Sequence, residues 1–79
     1  MTTSPVEVRR ALAHRVTVTD EALVVELDDG RTLSVPVAWF PRLAHGSAAE
    51  RAHWRLIGRG EAIHWPELDE DISVESLLA

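Results

Sequence analysis

The segment Asp28-Asp29-Gly30 separates two runs in which apolar and polar residues alternate, and it constrains the fold more than any other part of the sequence. Alternation with a period of two indicates strands that bury one face. A two-residue loop at Asp29-Gly30 would set Leu33 opposite Glu26, so that charged and apolar side chains would share a face. Because a shift of one residue moves every side chain to the other face, the pattern predicts a three-residue loop that ends at Gly30.

This register predicts a three-stranded antiparallel meander. Its expected pairs are Leu27 with Arg31, Val25 with Leu33, Leu23 with Val35 and, across a tight turn at Asp20-Glu21, Val18 with Leu23 and Val16 with Val25. Gly30 is then a bulge residue in the left-handed backbone region, where glycine costs least. Pro36 ends the third strand because proline cannot donate to a strand ladder.

The residues after the meander predict a plug and one central helix. The plug, which covers the sheet, is expected from Trp39, Phe40 and Leu43. Ser47 and Glu50 have the spacing of a capping box, which predicts a helix from Ala48 to about Arg55. Inward-facing positions of this segment are expected at Ala49, Ala52 and Leu56.

A second hairpin is predicted around Gly58-Arg59-Gly60, which separates two short apolar segments. The expected pairs are Trp54 with Trp65 and Leu56 with Ile63, and Pro66 closes the strand. Ser73 is the expected N-cap of a short C-terminal helix, with Ile72 and Leu77 forming a hydrophobic staple. The predicted fold class is therefore α+β, as a single small domain over residues 15–79 that follows a partly disordered or short helical segment at residues 1–14.

Composition limits the classes of function. At 79 residues the chain is one domain, and the absence of cysteine excludes disulfides and thiolate metal sites. No apolar run reaches the roughly 20 residues that span a bilayer, so no membrane partner is expected and the expected location is the bacterial cytoplasm. The net charge is −5, and residues 61–79 carry six carboxylates without an arginine. Such a charge repels nucleic-acid backbones, which disfavours direct nucleic acid binding by this chain alone.

The candidate site is the acidic segment, which comprises the carboxylates between Pro66 and Ile72. Its members are Glu67, Asp69, Glu70 and Asp71. They are expected in a loop before the last helix, either as solvated charges that favour the helix N-terminus or as a docking surface for an Arg-rich partner. Trp39 with Arg42 and Trp54 with Arg55 are candidate anchor pairs for the same partner, because Trp and Arg dominate binding hot spots. The alternative is that these tryptophans are packing residues of the small core.

Catalytic and metal-binding patterns are weak. The four histidines, His14, His45, His53 and His64, are scattered without ligand spacing, and His64 is expected as a sheet-face residue hydrogen-bonded to a nearby carboxylate or to the backbone. No catalytic triad order or phosphate-binding glycine loop appears. We therefore expect no cofactor, no metal site and no enzymatic activity. A metal-dependent enzyme that uses His64 and the acidic segment remains an alternative.

Several motifs, in order, resemble a known family over about residues 16–78. They are Asp28-Asp29-Gly30-Arg31, Val35-Pro36-Val37-Ala38-Trp39-Phe40-Pro41-Arg42-Leu43, Glu50-Arg51-Ala52-His53-Trp54-Arg55-Leu56-Ile57-Gly58, Gly60-Glu61-Ala62-Ile63-His64-Trp65-Pro66 and Leu68-Asp69-Glu70-Asp71-Ile72-Ser73-Val74-Glu75-Ser76-Leu77-Leu78. The sequence is similar to the bacterial domain-of-unknown-function family 2442, in the subgroup with Trp-Phe-Pro-Arg-Leu and Ile-His-Trp-Pro motifs. The family that the sequence resembles has no agreed biochemical activity. The resemblance implies a regulatory association, since some members are fused to a helix-turn-helix domain and others are suspected antitoxins of a small toxin. A chain of 79 residues is not expected to hold a helix-turn-helix as well.

The expected function is thus a non-enzymatic protein-binding or regulatory module, such as the antitoxin-like partner of a small basic or Arg-rich protein. A self-associating structural or accessory domain, for example a homodimer, is the alternative. The absence of a disulfide staple in so small a domain favours either a well-packed core or oligomerisation.

Overall fold

A computed structural model describes residues 11–78, which form an α+β domain of two three-stranded antiparallel sheets and three short helices. In chain order the elements are β1 (Ala13–Val18), β2 (Ala22–Leu27), β3 (Thr32–Pro36), a 3-10 helix (Val37–Trp39), α1 (Pro41–Ala44), α2 (Ala48–Ala52), β4 (Arg55–Ile57), β5 (Ala62–Trp65), β6 (Glu70–Ser73) and α3 (Val74–Leu78). The strand orders are β1-β2-β3 and β4-β5-β6. No helix within residues 11–78 is long and apolar enough to cross a membrane.

The first sheet has the predicted register. Val18 lies opposite Leu23, Val25 opposite Leu33, and the Leu27 amide donates to the Arg31 carbonyl at 2.8 Å. Gly30 has a φ of 97°, which confirms the left-handed bulge that the apolar pattern required.

The loop before β3 is also held by the carboxylate of Asp29. It accepts from the Arg31 backbone N–H at 3.0 Å and from the Arg31 guanidinium at 2.8 Å. The backbone hydrogen bond is the largest cause that lowers the pKa of Asp29 from its ordinary 3.8, and the Arg31 side chain adds to it.

We expect an NMR titration of the Asp29 carboxyl carbon to give a midpoint below 3.8. Because the folded pKa is lower than the unfolded one, the stabilisation is present above the unfolded pKa and is lost as pH falls through the folded pKa. Arg31→Ala should return the midpoint only part of the way, since the backbone donor remains. A midpoint at or above 3.8 in the wild type would contradict the observed contacts.

The predicted plug is correct for Leu43 and Phe40 but wrong for Trp39. Leu43 is fully buried and Phe40 half-buried, whereas Trp39 is 65% exposed. The first turn is a 3-10 helix, in which residues three apart lie on the same side. Val37 and Phe40 therefore face the core, and Trp39 is rotated outward.

Helix α2 begins at the predicted capping box and ends earlier than predicted. The Ser47 hydroxyl accepts from the Glu50 amide, and the Glu50 carboxylate accepts from the Ser47 amide. The helix stops at Ala52 rather than near Arg55, because Arg55 pairs with His64 in the second sheet. The inward positions predicted for Ala49 and Ala52 are wrong, since both are exposed.

The second sheet contains the predicted hairpin and one strand more. Leu56 lies opposite Ile63 and β5 ends before Pro66, as predicted. Strand β6 then pairs with β5, with Ile63 opposite Ile72. The predicted loop over the acidic segment is therefore wrong at Glu70 and Asp71, which lie in β6. Carboxylates are rare in strands, but the buried side chain of Ile72 holds strand β6 against the core.

Both sheets contribute to one core. Its buried residues are Ala13, Val16, Leu23, Val25, Leu27, Val37, Leu43, Ile63, Trp65, Ile72 and Val74. The Ser73 hydroxyl accepts from the Ser76 amide at 3.1 Å, which confirms Ser73 as the cap of α3. The half-buried Leu77 packs against the same core.

The N-terminal boundary differs from the prediction. Ala13 and His14 already belong to β1, so the sheet begins before the predicted domain start at residue 15. Ala11 and Leu12 are not helical. The rest of the predicted N-terminal segment, residues 1–10, lies outside the described residues.

Candidate interaction surface

The acidic segment occupies the connection from β5 to β6 and the first half of β6. The Leu68 amide donates to the Trp65 carbonyl at 3.2 Å, which closes the turn. Asp69 then has a φ of 52°, a left-handed conformation that aspartate tolerates better than most residues. Its side chain projects into solvent and is 94% exposed.

Arg42 of α1 reaches the acidic segment. Its Nη1 donates to the Asp69 backbone carbonyl and lies 3.9 Å from Asp69 Oδ2 and 4.0 Å from Glu70 Oε1. The side chains of Arg42 and Asp69 are mostly exposed, so the charge interaction contributes roughly 0–1 kcal/mol. Its main effect is to place the Arg42 guanidinium beside the carboxylates of Asp69 and Glu70.

The other two carboxylates contact histidines. His53 Nδ1 lies 3.0 Å from Glu67 Oε1, and His64 Nδ1 contacts Asp71 Oδ1 across the β5–β6 pair. The contact of His64 with a carboxylate confirms its predicted sheet-face role. All four candidate carboxylates therefore have a partner within the chain. These contacts partly compensate the charge of the segment, and its role as a docking surface for an Arg-rich partner stays a prediction.

Trp39 lies in the 3-10 turn that precedes the helix carrying Arg42. It is the most exposed of the large hydrophobic residues within residues 11–78, and it precedes Arg42 by three positions. Its indole N–H has no hydrogen-bond partner in the described part of the chain. The structure brings Arg42 to Asp69 and Glu70, and it shows no direct contact of Trp39 with them. We call the set Trp39, Arg42, Glu67, Asp69 and Asp71 the Trp39 surface.

The same surface provides no arrangement for metal chemistry. Within residues 11–78 no three His, Asp or Glu side chains are grouped so that they could hold a metal ion. The contacts of His53 and His64 are each with a single carboxylate.

A sequence match identifies the family to which the chain belongs. The family described as "Protein of unknown function (DUF2442)" matches residues 13–79. The chain is a DUF2442 protein. No curated protein matches it significantly.

A solved structure has a fold similar to that of this chain. The crystal structure of a protein of unknown function from Rhodospirillum rubrum ATCC 11170 superposes with a TM-score of 0.74 at 24% identity, covering 89% of this chain and 87% of that one. At this identity the likeness supports the fold. Neither that description nor the DUF2442 description assigns an activity.

The DUF2442 domain also contains a groove that no sequence pattern predicted. It lies between β1 and α2, encloses about 430 Å³, and is lined by Val16, Thr17, Val18, Thr19, Asp20, Ala48, Arg51, Ala52 and Trp54. Arg51 donates to Asp20 at 2.8 Å beside it, so its central charges neutralise each other. The lining is mixed and indicates no class of ligand.

Proposed function

We propose that this DUF2442 domain is a non-enzymatic protein-binding module that holds a small basic protein through the Trp39 surface. Its regulatory role would be to neutralise that protein, as an antitoxin-like partner does. The supporting observation is the exposure of Trp39, three positions before Arg42, whose guanidinium contacts the exposed Asp69.

Trp39 leaves a large apolar surface exposed, which a complex could bury. The chain contains three tryptophans, and Trp65 is completely buried while Trp54 is half-buried. Burying a large aromatic side chain contributes roughly 1.5–3 kcal/mol, which is available to a complex when the residue is exposed in the free protein. Exposed Trp residues flanked by polar groups are typical anchors of protein interfaces.

The charge of the surface favours a basic partner. The chain has a net charge of −5, and the side chains of Asp69 and Asp71 are 94% and 65% exposed. Carboxylates accept several hydrogen bonds, so one contact with Arg42 or His64 leaves acceptor positions for an incoming guanidinium. The intramolecular contacts also fix the carboxylates before binding, which reduces the entropy lost on association.

Affinity capture from the native host tests the proposal. The tagged chain, its Trp39→Ala variant and an Ile57→Ala control serve as baits. Ile57 is also an exposed hydrophobic residue, but it lies on β4. We expect the wild type and Ile57→Ala to retain one basic protein that Trp39→Ala loses. Equal retention by the Trp39 variant, or retention of no basic protein, would contradict the proposal.

We expect Asp69→Asn with Asp71→Asn to slow association with the captured protein and to flatten its salt dependence. Long-range attraction of exposed charges acts mainly on the association rate and is screened by salt. Stopped-flow kinetics at low and high salt measure the effect, with exposed Glu21→Gln in the β1–β2 turn as the control. A change in dissociation alone would contradict a steering role of the carboxylates.

A further inference from the structure

The free edge of β3 exposes backbone groups that form no ladder. The Leu27 amide donates to Arg31 at 2.8 Å and the Val37 amide donates to Glu21 at 3.0 Å. In the register between these bonds, Leu33 and Val35 direct their N–H and C=O groups to β2. Thr32 and Ser34 consequently direct theirs outward. Within residues 11–78 β3 pairs only with β2.

The other sheet edges are protected in ways that β3 is not. Strand β1 carries an irregularity between Ala13 and Arg15 and lies beside α2. Strand β4 carries Arg55, and β6 carries Glu70 and Asp71. Strand β3 reads Thr-Leu-Ser-Val-Pro, without a charge. Charged side chains and bulges are the usual devices that prevent edge pairing.

We infer that β3 pairs antiparallel with β3 of a second copy of this chain, about a two-fold axis at Ser34. The two Ser34 residues exchange N–H···O=C bonds, and each Thr32 amide donates to the Pro36 carbonyl opposite. Leu33 faces Val35 of the second copy, so apolar side chains meet on the core face. Pro36 has no backbone N–H and therefore donates no hydrogen bond to the second copy. The ladder between the two β3 strands stays short as a result.

The lack of charge favours a second copy as the occupant of this edge. Each copy carries a net charge of −5, yet the pairing strands contain no charged residue and bring no like charges directly opposite each other. A pairing of five-residue strands is small beside the roughly 1,200 Å² that stable interfaces bury at minimum, so the dimer is weak and concentration-dependent.

Cysteine cross-linking tests the pairing directly, because the natural chain contains no cysteine. Hydrogen-bonded antiparallel partners have Cα atoms about 5.5 Å apart, within the roughly 4.4–6.8 Å of disulfides. Ser34→Cys should form a disulfide dimer under mild oxidation. Thr17→Cys, in the same cross-strand row on β1, is the matched control. We expect the Ser34 variant to cross-link at least about tenfold faster, since pairing raises the effective concentration. Equal rates would overturn the inference.

Sedimentation over a wide concentration series supplies a second readout. The wild type should associate, and Ser34→Lys should abolish association because the two-fold axis sets lysine against lysine. Ser34 is exposed, so this variant should unfold at the same urea concentration as the wild type. Trp39→Ala should associate as the wild type does, which separates this dimer from the proposed partner binding. A wild type that is monomeric throughout, or a dimer that survives Ser34→Lys, would overturn the pairing.

Discussion

Gly60→Ala should destabilise the domain by about 3–5 kcal/mol, a large part of the stability of a chain this small. Gly60 is buried with a φ of 113°, and an added Cβ would lie 2.3 Å from the Ala13 carbonyl oxygen. The Ala13 amide donates to the Gly60 carbonyl at 2.8 Å, so this contact joins the two sheets. Strain at the left-handed backbone and overpacking against the main chain each contribute roughly 1–3 kcal/mol.

Urea unfolding followed by tryptophan fluorescence measures this effect, and Gly30→Ala is its matched control. Gly30 has a comparable φ of 97°, but no atom lies within 4 Å of an added Cβ. We therefore expect only the conformational strain there, about 1–2 kcal/mol. Equal losses at both glycines would show that the contact with Ala13 does not constrain the domain.

Arg51→Ala should cost about 2–4 kcal/mol, more than any other arginine in residues 11–78. Its Nε and Nη2 each donate at 2.8 Å, to the carbonyls of Leu43 and Ala44 at the end of α1. Nη1 donates to Asp20 at 2.8 Å, and the side chain is only 11% exposed. Removing it leaves helix-end carbonyls without their charged donor, and hydrogen bonds to charged groups contribute about 1.5–3 kcal/mol each at most.

Two further variants separate geometry from charge at this position. Arg51→Lys should recover less than half of the loss, because an ammonium group cannot donate in the planar fork of a guanidinium. Arg31→Ala should cost less than about 1 kcal/mol, since Arg31 is exposed and, among residues 11–78, its guanidinium pairs only with Asp29. Urea unfolding at neutral pH measures all three variants. Full recovery by lysine would show that charge alone is required.

The first sheet could be predicted because its register depends on residues that are close together in the sequence. Alternation fixed the buried face, and only one loop length at Gly30 kept Glu26 away from Leu33. The capping residues Ser47 and Ser73 were predictable for the same reason, since their hydrogen bonds span three positions.

The missed features depend on contacts between distant segments. Strand β6 contains a single apolar residue, the buried Ile72, which lies between two carboxylates and a serine. In the sequence this pattern resembles a loop, and only the pairing with β5 shows that it is a strand. Arg42 approaches Asp69 across 27 positions, and Arg51 contacts Asp20 across 31. Residue spacing along the sequence does not predict contacts between such distant positions. The outward rotation of Trp39 follows from a 3-10 turn that the sequence does not distinguish from an α-helical one.

Trp39 is proposed to anchor a basic protein, and calorimetry with the captured protein measures how much this residue contributes to binding. Hot-spot aromatics contribute at least about 2 kcal/mol, so Trp39→Ala should weaken binding by roughly 30-fold or more. Ile57→Ala should bind as the wild type does. Wild-type affinity in the Trp39→Ala variant, with the partner still bound stoichiometrically, would contradict the account.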